Sequence, residues 1–229
     1  MSDLVVIVPS RGRPHTVAEI SEAFEQTCTA RTVAWFAVDN DDAEVEAYAA
    51  AAGGRAYVAP ADNISMVDAL NRAAVYFASG AEGPAALGFM GDDHRPRTEG
   101  WDRAYLDALD DLGTGIVYGN DLYQGERIPT QCAMTTDIIR TLGYMAPPDL
   151  KHMYVDNAWL ALGRAMGRIR YLPDVVIEHM HPVAEKAEWD EGYARVNAPE
   201  VYRRDQAVYE RWLMESLPAE AARLRRLVA

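Results

Sequence analysis

Short apolar runs alternate with amphipathic stretches along the first half of the chain. The runs are rich in β-branched residues and end at polar or glycine-containing segments, which is typical of strands covered on both faces. They span residues 4–8, 32–38, 55–59, 87–90 and 115–118. Between them apolar residues recur at helical spacing, and Ser65 is placed to cap the helix that follows it. This alternation predicts an α/β fold with a mainly parallel, Rossmann-like sheet flanked by helices.

The order of elements changes in the second half. The pattern predicts short helices over residues 135–142 and 156–163, a strand over 169–177, and a polar helical segment from residue 186 onward. We therefore expect one domain over residues 1–185 and a helical C-terminal extension over residues 186–229. The extension either packs back on the domain or pairs with a second subunit, so a homodimer is one alternative.

Composition narrows the class of protein further. The chain has 229 residues, of which 49% are hydrophobic, enough for a full core. Its net charge of -13 argues against binding to nucleic acid. No run approaches the roughly 18 apolar residues of a membrane span, and the first apolar run is too short for a signal peptide. The two cysteines have no metal-binding spacing, so we expect a cytoplasmic protein.

Two adjacent carboxylates, Asp92 and Asp93, follow the apolar run at 87–90. Ligands bind at the carboxyl edge of an open α/β sheet, and two acids held there favour a positive partner. A divalent cation that holds a phosphate satisfies both conditions, because hard cations prefer oxygen ligands. The alternative is a solvated turn, since aspartate is common where strands end.

His179 and His181 follow the last predicted strand and are separated by one residue. Alternate residues of an extended segment face the same side, so both imidazoles point one way. Asp93 and His181, with Asp92 as a third ligand, would suit Mn²⁺ or Mg²⁺ completed by diphosphate oxygens and water. The alternative is a pair of surface histidines. His94, beside the acid pair, is expected to be an exposed neighbour.

Four further residues have both a functional and a structural interpretation. Asp156 lies at the start of a predicted helix. It is either the N-cap of that helix or a base that takes a proton from an acceptor hydroxyl. Asp39, after the second strand, is either a turn residue or an acceptor for a nucleobase edge. Arg11 and Arg13 follow the first strand. They are either solvated loop charges or a clamp that binds diphosphate.

Several ligand-binding motifs are missing from the sequence. It has no Gly-x-x-x-x-Gly-Lys-Ser/Thr phosphate loop and no Gly-x-Gly-x-x-Gly after the first strand. It also has no Gly-x-Ser-x-Gly elbow and no His-Glu-x-x-His helix. The P-loop, dinucleotide-binding, serine-hydrolase and zinc-protease classes therefore have little support.

Four segments together resemble the glycosyltransferases of the GT-A fold, which transfer sugars from nucleotide donors. Residues 5–14 resemble the first strand and nucleotide loop, and residues 68–73 resemble the helix before the metal strand. Residues 91–93, Gly-Asp-Asp, are similar to the Asp-x-Asp metal motif, with glycine in place of the first aspartate. Residues 178–182 are similar to the late histidine segment. The short length also resembles small glycosyltransferases of bacteriophages.

The resemblance implies a role for each matching position. Asp93 would bind the metal that bridges the donor diphosphate, with His181 as a further ligand and His179 as its competitor. Asp156 would occupy the place of the catalytic base in inverting members. Gly91, in place of an aspartate, implies a weaker or metal-optional site. The residues implied near the nucleotide are Pro9, Ser10, Arg11, Arg13, Asp39, Asn71 and Asp92.

The resemblance therefore implies a metal-dependent glycosyltransferase of the hexosyltransferase class. Its partners would be a nucleotide-sugar donor, with a UDP-sugar favoured, and a hydroxyl on an unidentified glycan, protein or small molecule. The cofactor would be Mn²⁺ or Mg²⁺. A module that binds sugar nucleotides or glycans without turnover is the main alternative. A sugar-nucleotide pyrophosphorylase ranks lower, because the loop 9–13 has one glycine instead of a glycine-rich basic sequence.

Overall fold

The computed structural model describes residues 3–60, 65–80, 83–180 and 196–227. Within these ranges eight strands form one sheet with α-helices on both faces. The strands are β1 (Leu4–Ser10), β2 (Thr32–Asp39), β3 (Ala56–Ala59), β4 (Ala86–Phe89), β5 (His94–Pro96), β6 (Ile116–Asn120), β7 (Cys132–Thr135) and β8 (Ile169–His179). The helices are α1 (Thr16–Thr27), α2 (Val45–Ala51), α3 (Met66–Ala78), α4 (Trp101–Leu112), α5 (Thr136–Leu142), α6 (Val155–Met166), α7 (Pro199–Glu215) and α8 (Leu217–Arg225).

The sheet has the strand order β3-β2-β1-β4-β7-β6-β8-β5. The first four strands along this order pair in parallel, with Leu4 of β1 opposite Thr32 on one side and Ala86 on the other. β7 runs antiparallel to both of its neighbours, and β5 runs antiparallel to β8. Because β1, β2 and β4 are parallel neighbours, their carboxyl ends meet at one edge.

The alternation of side chains along β1 explains the two cores. Leu4 and Val6 pack with α1, α2 and α4 on one face, whereas Val5 and Ile7 pack with α3, α5 and α6 on the other. All four side chains are buried, as expected of a strand with helices on both faces. The predicted α/β sheet is therefore confirmed. Ser65 caps α3 through a capping box with Asp68, which confirms the predicted N-cap.

Two short strands were not predicted from the sequence. β5 is three residues long and contains charged side chains, and β7 is a four-residue run without a periodic signal. Both pair antiparallel and make the sheet mixed. Their positions depend on partners far along the chain, which local periodicity does not reveal.

The described helices of the C-terminal extension pack on the domain. Trp212 of α7 and Leu224 of α8 are buried in the same core as Trp159 of α6. The extension thus covers apolar surface of its own chain, while the boundary at residue 185 stays a prediction. None of the helices in the described ranges is both long and apolar enough to cross a membrane.

Candidate functional site

A large cavity opens at the carboxyl edge of the parallel strands. Its volume is about 880 Å³, near the upper end of the roughly 300–1,000 Å³ of ligand pockets. Ser10 ends β1, Asp39 ends β2, and the acid pair follows β4, so each brings a polar side chain to this edge. Further parts of the wall come from α3, from His179 and from residues 123–130, 151–159 and 196–202.

Asp92 is held by the loop that follows β1. Its two oxygens accept hydrogen bonds from Ser10 Oγ at 2.6 Å and from Arg13 Nη1 at 3.0 Å. Ser10 in turn lies 2.6 Å from the Tyr48 hydroxyl, which accepts from the Arg13 backbone N–H. Burial, followed by the charge of Asp93, raises the pKa of Asp92. Asp92 therefore braces the loop at residues 9–13, with Pro9 also lining the cavity.

Arg11 joins the ends of β1 and β2. Its Nη1 donates to Asp39 at 2.6 Å and to Asp41 at 2.7 Å. Burial raises the pKa of Asp39, and the guanidinium of Arg11 opposes that rise. The charge of Arg11 is thus shared with two carboxylates, and Asp39 faces the cavity as the sequence predicts.

Asp93 and His179 form the charged centre of the cavity. Asp93 Oδ2 lies 3.2 Å from His179 Nε2. Ligand atoms about 2.1 Å from one octahedral ion lie about 3 Å apart, so this pair has the spacing of adjacent ligands. Burial opposes ionisation of Asp93, but the neighbouring imidazoles of His179 and His94 outweigh it and hold its pKa well below the usual range. A carboxylate and an imidazole at this spacing fit Mn²⁺ or Mg²⁺.

The prediction that His94 is an exposed neighbour is wrong. His94 lies opposite His179 in the β5–β8 pair, is 3% exposed, and stacks on His179 with ring centroids 4.2 Å apart. Its Nδ1 accepts from the Gly91 N–H at 3.1 Å. A Cβ at Gly91 would lie 2.5 Å from Asp93 Oδ1 and 3.0 Å from His94 Nδ1. Gly91 therefore provides room for the packing of His94 beside Asp93.

The stacking also limits what His94 can ligate. Among the described residues, Asp93, His94 and His179 form a group whose ligand atoms lie within 4.8 Å of one another. However, the two rings are only 20° from parallel, and an ion in the plane of one stacked ring lies outside the plane of the other. Asp93 and His179 therefore have the spacing to hold a cation together, and His94 packs against the ring of His179.

Asp121 is a site residue that the sequence analysis missed. It follows β6 and is 1% exposed; its Oδ1 accepts from the backbone N–H groups of Tyr123, Gln124 and Gly125 at 2.7–2.9 Å. Its Oδ2 accepts from Thr130 and lies 3.7 Å from His179 Nδ1. Although burial opposes its charge, His179 and these N–H groups hold the pKa of Asp121 well below the usual range.

His179 thus lies between two carboxylates. Burial lowers its pKa, but Asp121 and Asp93 outweigh burial and raise it to about 9. A carboxylate behind the second ring nitrogen is typical of histidines that bind metals, because it fixes the orientation of the ring. The position of Asp121 directly after a strand, like that of Asp39, is the signal that could have identified it.

Asp156 lines the cavity from the first turn of α6. The N-cap of this helix is Tyr154, so the structural alternative of an N-cap aspartate does not apply to Asp156. Its Oδ1 accepts from the Asn157 N–H at 2.9 Å. Burial raises its pKa, which makes the carboxylate a stronger proton acceptor.

Two predicted site residues are not brought to this cavity by the described structure. The Asn71 side chain accepts from the N–H groups of Met145 and Ala146 and donates to the Ala146 carbonyl oxygen. Its amide therefore holds the loop at residues 145–146, and its expected contact with a nucleotide stays a prediction. His181 lies outside the described residues, so its role as a ligand stays a prediction.

An acid-containing turn after β4 thus lies beside the ends of two parallel strands. This arrangement can be compared with proteins of known sequence and structure. Neither a protein-family model nor the sequence of a curated protein matches the chain. Solved structures do match, and they show the same fold.

One similar structure is the mannosyltransferase PcManGT from Pyrobaculum calidifontis in complex with GDP-Man and Mn²⁺. It has a TM-score of 0.61 and 16% identity, and the match covers 98% of this chain and 73% of that chain. TarS of S. aureus in complex with UDP has a TM-score of 0.58 and 15% identity. This match covers 100% of this chain and 71% of that chain. Glucosyl-3-phosphoglycerate synthase of Mycobacterium tuberculosis with Mn²⁺ and UDP has a TM-score of 0.54 and 13% identity. This match covers 80% of this chain and 74% of that chain. These similarities show the GT-A fold.

Proposed function

We propose that this chain is a metal-dependent glycosyltransferase that moves a hexose from a nucleoside-diphosphate donor to a hydroxyl acceptor. One observation carries the proposal. A single cavity contains the charged loop after β1, the Asp93–His179 pair at 3.2 Å, and the half-buried carboxylate of Asp156. These groups match the three tasks of the reaction, namely holding the donor, balancing its charge and accepting a proton.

The donor would lie against the ends of β1 and β2. Asp39 would accept hydrogen bonds from the base, and Ser10, Arg11 and Arg13 would lie near the diphosphate, since guanidinium groups match phosphate geometry. Similar structures were solved with UDP and with GDP-Man, which supports a nucleoside diphosphate donor. We favour a UDP-sugar.

The charge of the departing diphosphate requires a positive partner. A divalent cation held by Asp93 and His179 would stabilise that charge when bound. Asp121 would keep the Nε2 of His179 directed toward Asp93. An imidazole ligand favours Mn²⁺ over Mg²⁺, and two of the similar structures contain Mn²⁺.

Asp156 would act as the base. Because its pKa is raised, this carboxylate has a higher affinity for the proton that an acceptor hydroxyl loses as it attacks the sugar. Attack from the side opposite the departing diphosphate inverts the anomeric configuration, so we expect an inverting enzyme. A module that binds without turnover would use the donor end of the cavity but would not need this half-buried carboxylate.

The proposal is tested by melting temperatures with UDP-, GDP-, dTDP- and CMP-sugars, each with and without Mn²⁺. A ligand that binds the native state raises the melting temperature. We expect a Mn²⁺-dependent rise with one nucleotide class that is lost in Asp93→Ala. Asp149→Ala is the control, because the Asp149 side chain is 76% exposed and does not line the cavity. Absence of any rise in the unaltered protein would contradict the proposal.

A further inference from the structure

Three tyrosines surround the part of the cavity that contains Asp156. Tyr123 comes from the turn after β6, Tyr154 from the N-cap of α6, and Tyr202 from the first turn of α7. Tyr123 and Tyr202 are 36% and 43% exposed, although most aromatic rings in this chain are packed more deeply. Burial and then the charge of Asp156 raise the pKa of Tyr202, and both side chains line the same cavity. The three rings therefore present aromatic surface next to the candidate base.

The backbone at or next to two of these tyrosines has an unfavourable conformation. Among the described residues, Leu122 and Tyr154 are the two non-glycine residues with positive φ, at 59° and 64°. One directly precedes Tyr123 and the other is Tyr154 itself. Bulky residues rarely adopt this conformation, which persists only where the surrounding structure enforces it, and it is concentrated at functional sites.

At Tyr154 the enforcement comes from α7. Tyr154 stacks on Tyr209 at 5.4 Å, Tyr209 stacks on Trp212 at 6.2 Å, and the edge of Tyr202 meets Tyr154 at 6.4 Å. The Asp205 carboxylate, which is fully buried, accepts from the N–H groups of residues 151–153. The ring of Tyr154 is thus packed in place before any ligand arrives, which lowers the entropy lost on binding.

The chemistry of this wall is amphipathic. Beside the three rings lie Gln124, Asn157 and Asn197, whose amides both donate and accept hydrogen bonds. A pyranose ring has the matching chemistry, because its C–H face is apolar and its hydroxyl groups project from the edge. Tyrosine faces provide rigid contact area for such a ring, and amides pair with its hydroxyls.

We propose that Tyr123, Tyr154 and Tyr202 form a subsite for a sugar ring, so that the acceptor is a saccharide whose hydroxyl is presented to Asp156. The inference rests on the proposed transferase function and specifies the class of its acceptor. A phosphorylated acceptor would call for cations instead, and the Lys151 ammonium in this wall is engaged by Asp68 at 3.1 Å.

The test measures binding of saccharides without a donor. Cellotriose, maltotriose, chitotriose and mannotriose are examined by saturation-transfer NMR, with glucose 6-phosphate as the anionic probe. We expect at least one neutral trisaccharide to bind, with affinity about tenfold weaker in Tyr202→Ala and nearly unchanged in Tyr202→Phe, because the ring and not the hydroxyl provides the contact. Tyr76→Ala is the control, since Tyr76 is 63% exposed and lies outside the cavity.

The outcomes separate the two proposals. Binding of none of the four trisaccharides, equal losses in Tyr202→Ala and Tyr76→Ala, or binding of glucose 6-phosphate alone would each overturn the saccharide subsite. If nucleotide sugars raise the melting temperature while no saccharide binds, only the subsite fails. If a saccharide binds through Tyr202 while no nucleotide sugar does, the subsite stands and the transferase proposal fails.

Discussion

The two ends of the cavity are built from different chemistry. At one end Arg11, Arg13, Asp39 and Asp92 follow neighbouring parallel strands and pair their charges with one another. At the other end tyrosines and amides project from loops and from the first turns of α6 and α7, with strained backbone at Leu122 and Tyr154. The difference indicates that one end is suited to a charged ligand and the other to a neutral, amphipathic one.

Asp121 belongs to both ends. One of its oxygens faces His179, and the other holds the turn that carries Tyr123. A change at Asp121 should therefore affect cation binding and acceptor binding together, whereas changes elsewhere should affect one end alone. The following experiments use this separation, beginning with the largest expected effect.

The largest effect is expected from Asp156→Asn. Loss of the base should lower kcat by about 10²- to 10⁴-fold, with donor affinity retained. Because burial raises the folded-state pKa of Asp156 above 3.8, its charge destabilises the fold at pH 7. The variant should therefore melt at a higher temperature at pH 7, and this advantage should vanish below about pH 4, where the carboxyl is neutral in both states. A lower melting temperature at pH 7 would argue against the buried charge.

Asp121→Asn should weaken both ends of the cavity. We expect Mn²⁺ affinity to fall about 10- to 100-fold, because the ring of His179 loses its carboxylate partner. The KM for the acceptor should rise as the turn at Tyr123 loosens. Titration calorimetry measures the first effect and steady-state kinetics the second.

Asp102→Asn is the matched control for this change. Asp102 is also fully buried and also accepts from loop N–H groups, those of Thr29 and Ala30, but it lies outside the cavity. Its loss should lower the melting temperature without changing Mn²⁺ affinity. Equal Mn²⁺ affinity in the two variants would show that Asp121 does not orient His179.

Gly91→Ala should have an intermediate effect. Its Cβ would collide with Asp93 Oδ1 and press on the ring of His94, so we expect Mn²⁺ affinity to fall about tenfold. Gly80→Ala is the control, since the nearest atom to its Cβ is at an ordinary 3.7 Å. Gly91→Asp, which restores the Asp-x-Asp sequence, should weaken binding too. Tighter binding in Gly91→Asp would show that Gly91 is a lost ligand and not a packing requirement.

The smallest effect on transfer is expected from Asp205→Asn. Replacing this carboxylate leaves a donor facing the N–H groups of residues 151–153, which should lower the free energy of unfolding by about 1–3 kcal/mol. Hydrogen exchange at 151–154 should quicken and the acceptor KM should rise a few-fold, with donor affinity unchanged. Asp149→Asn, on the exposed surface, should change none of these quantities.

The sequence reveals one end of the cavity better than the other. Asp39 and Asp93 each follow a strand with a clear apolar pattern, so their convergence follows from the parallel sheet alone. Tyr123, Tyr154 and Tyr202 converge only because distant segments pack together, and no local pattern marks them. His94 was misjudged for the same reason, since its burial depends on β8, more than eighty residues away. For Asn71 the resemblance identifies a helix but not the direction of one amide, so its predicted contact with a nucleotide stays a prediction.

The clamp formed by Asp205 has a consequence for the order in which the site is completed. The N–H groups that it accepts from belong to residues made 52–54 positions earlier. During synthesis the loop that leads into Tyr154 and Asp156 therefore emerges without its partner, while the strands of the charged end of the cavity are already present. A nascent chain thus completes the tyrosine-lined end of the cavity last, when α7 docks.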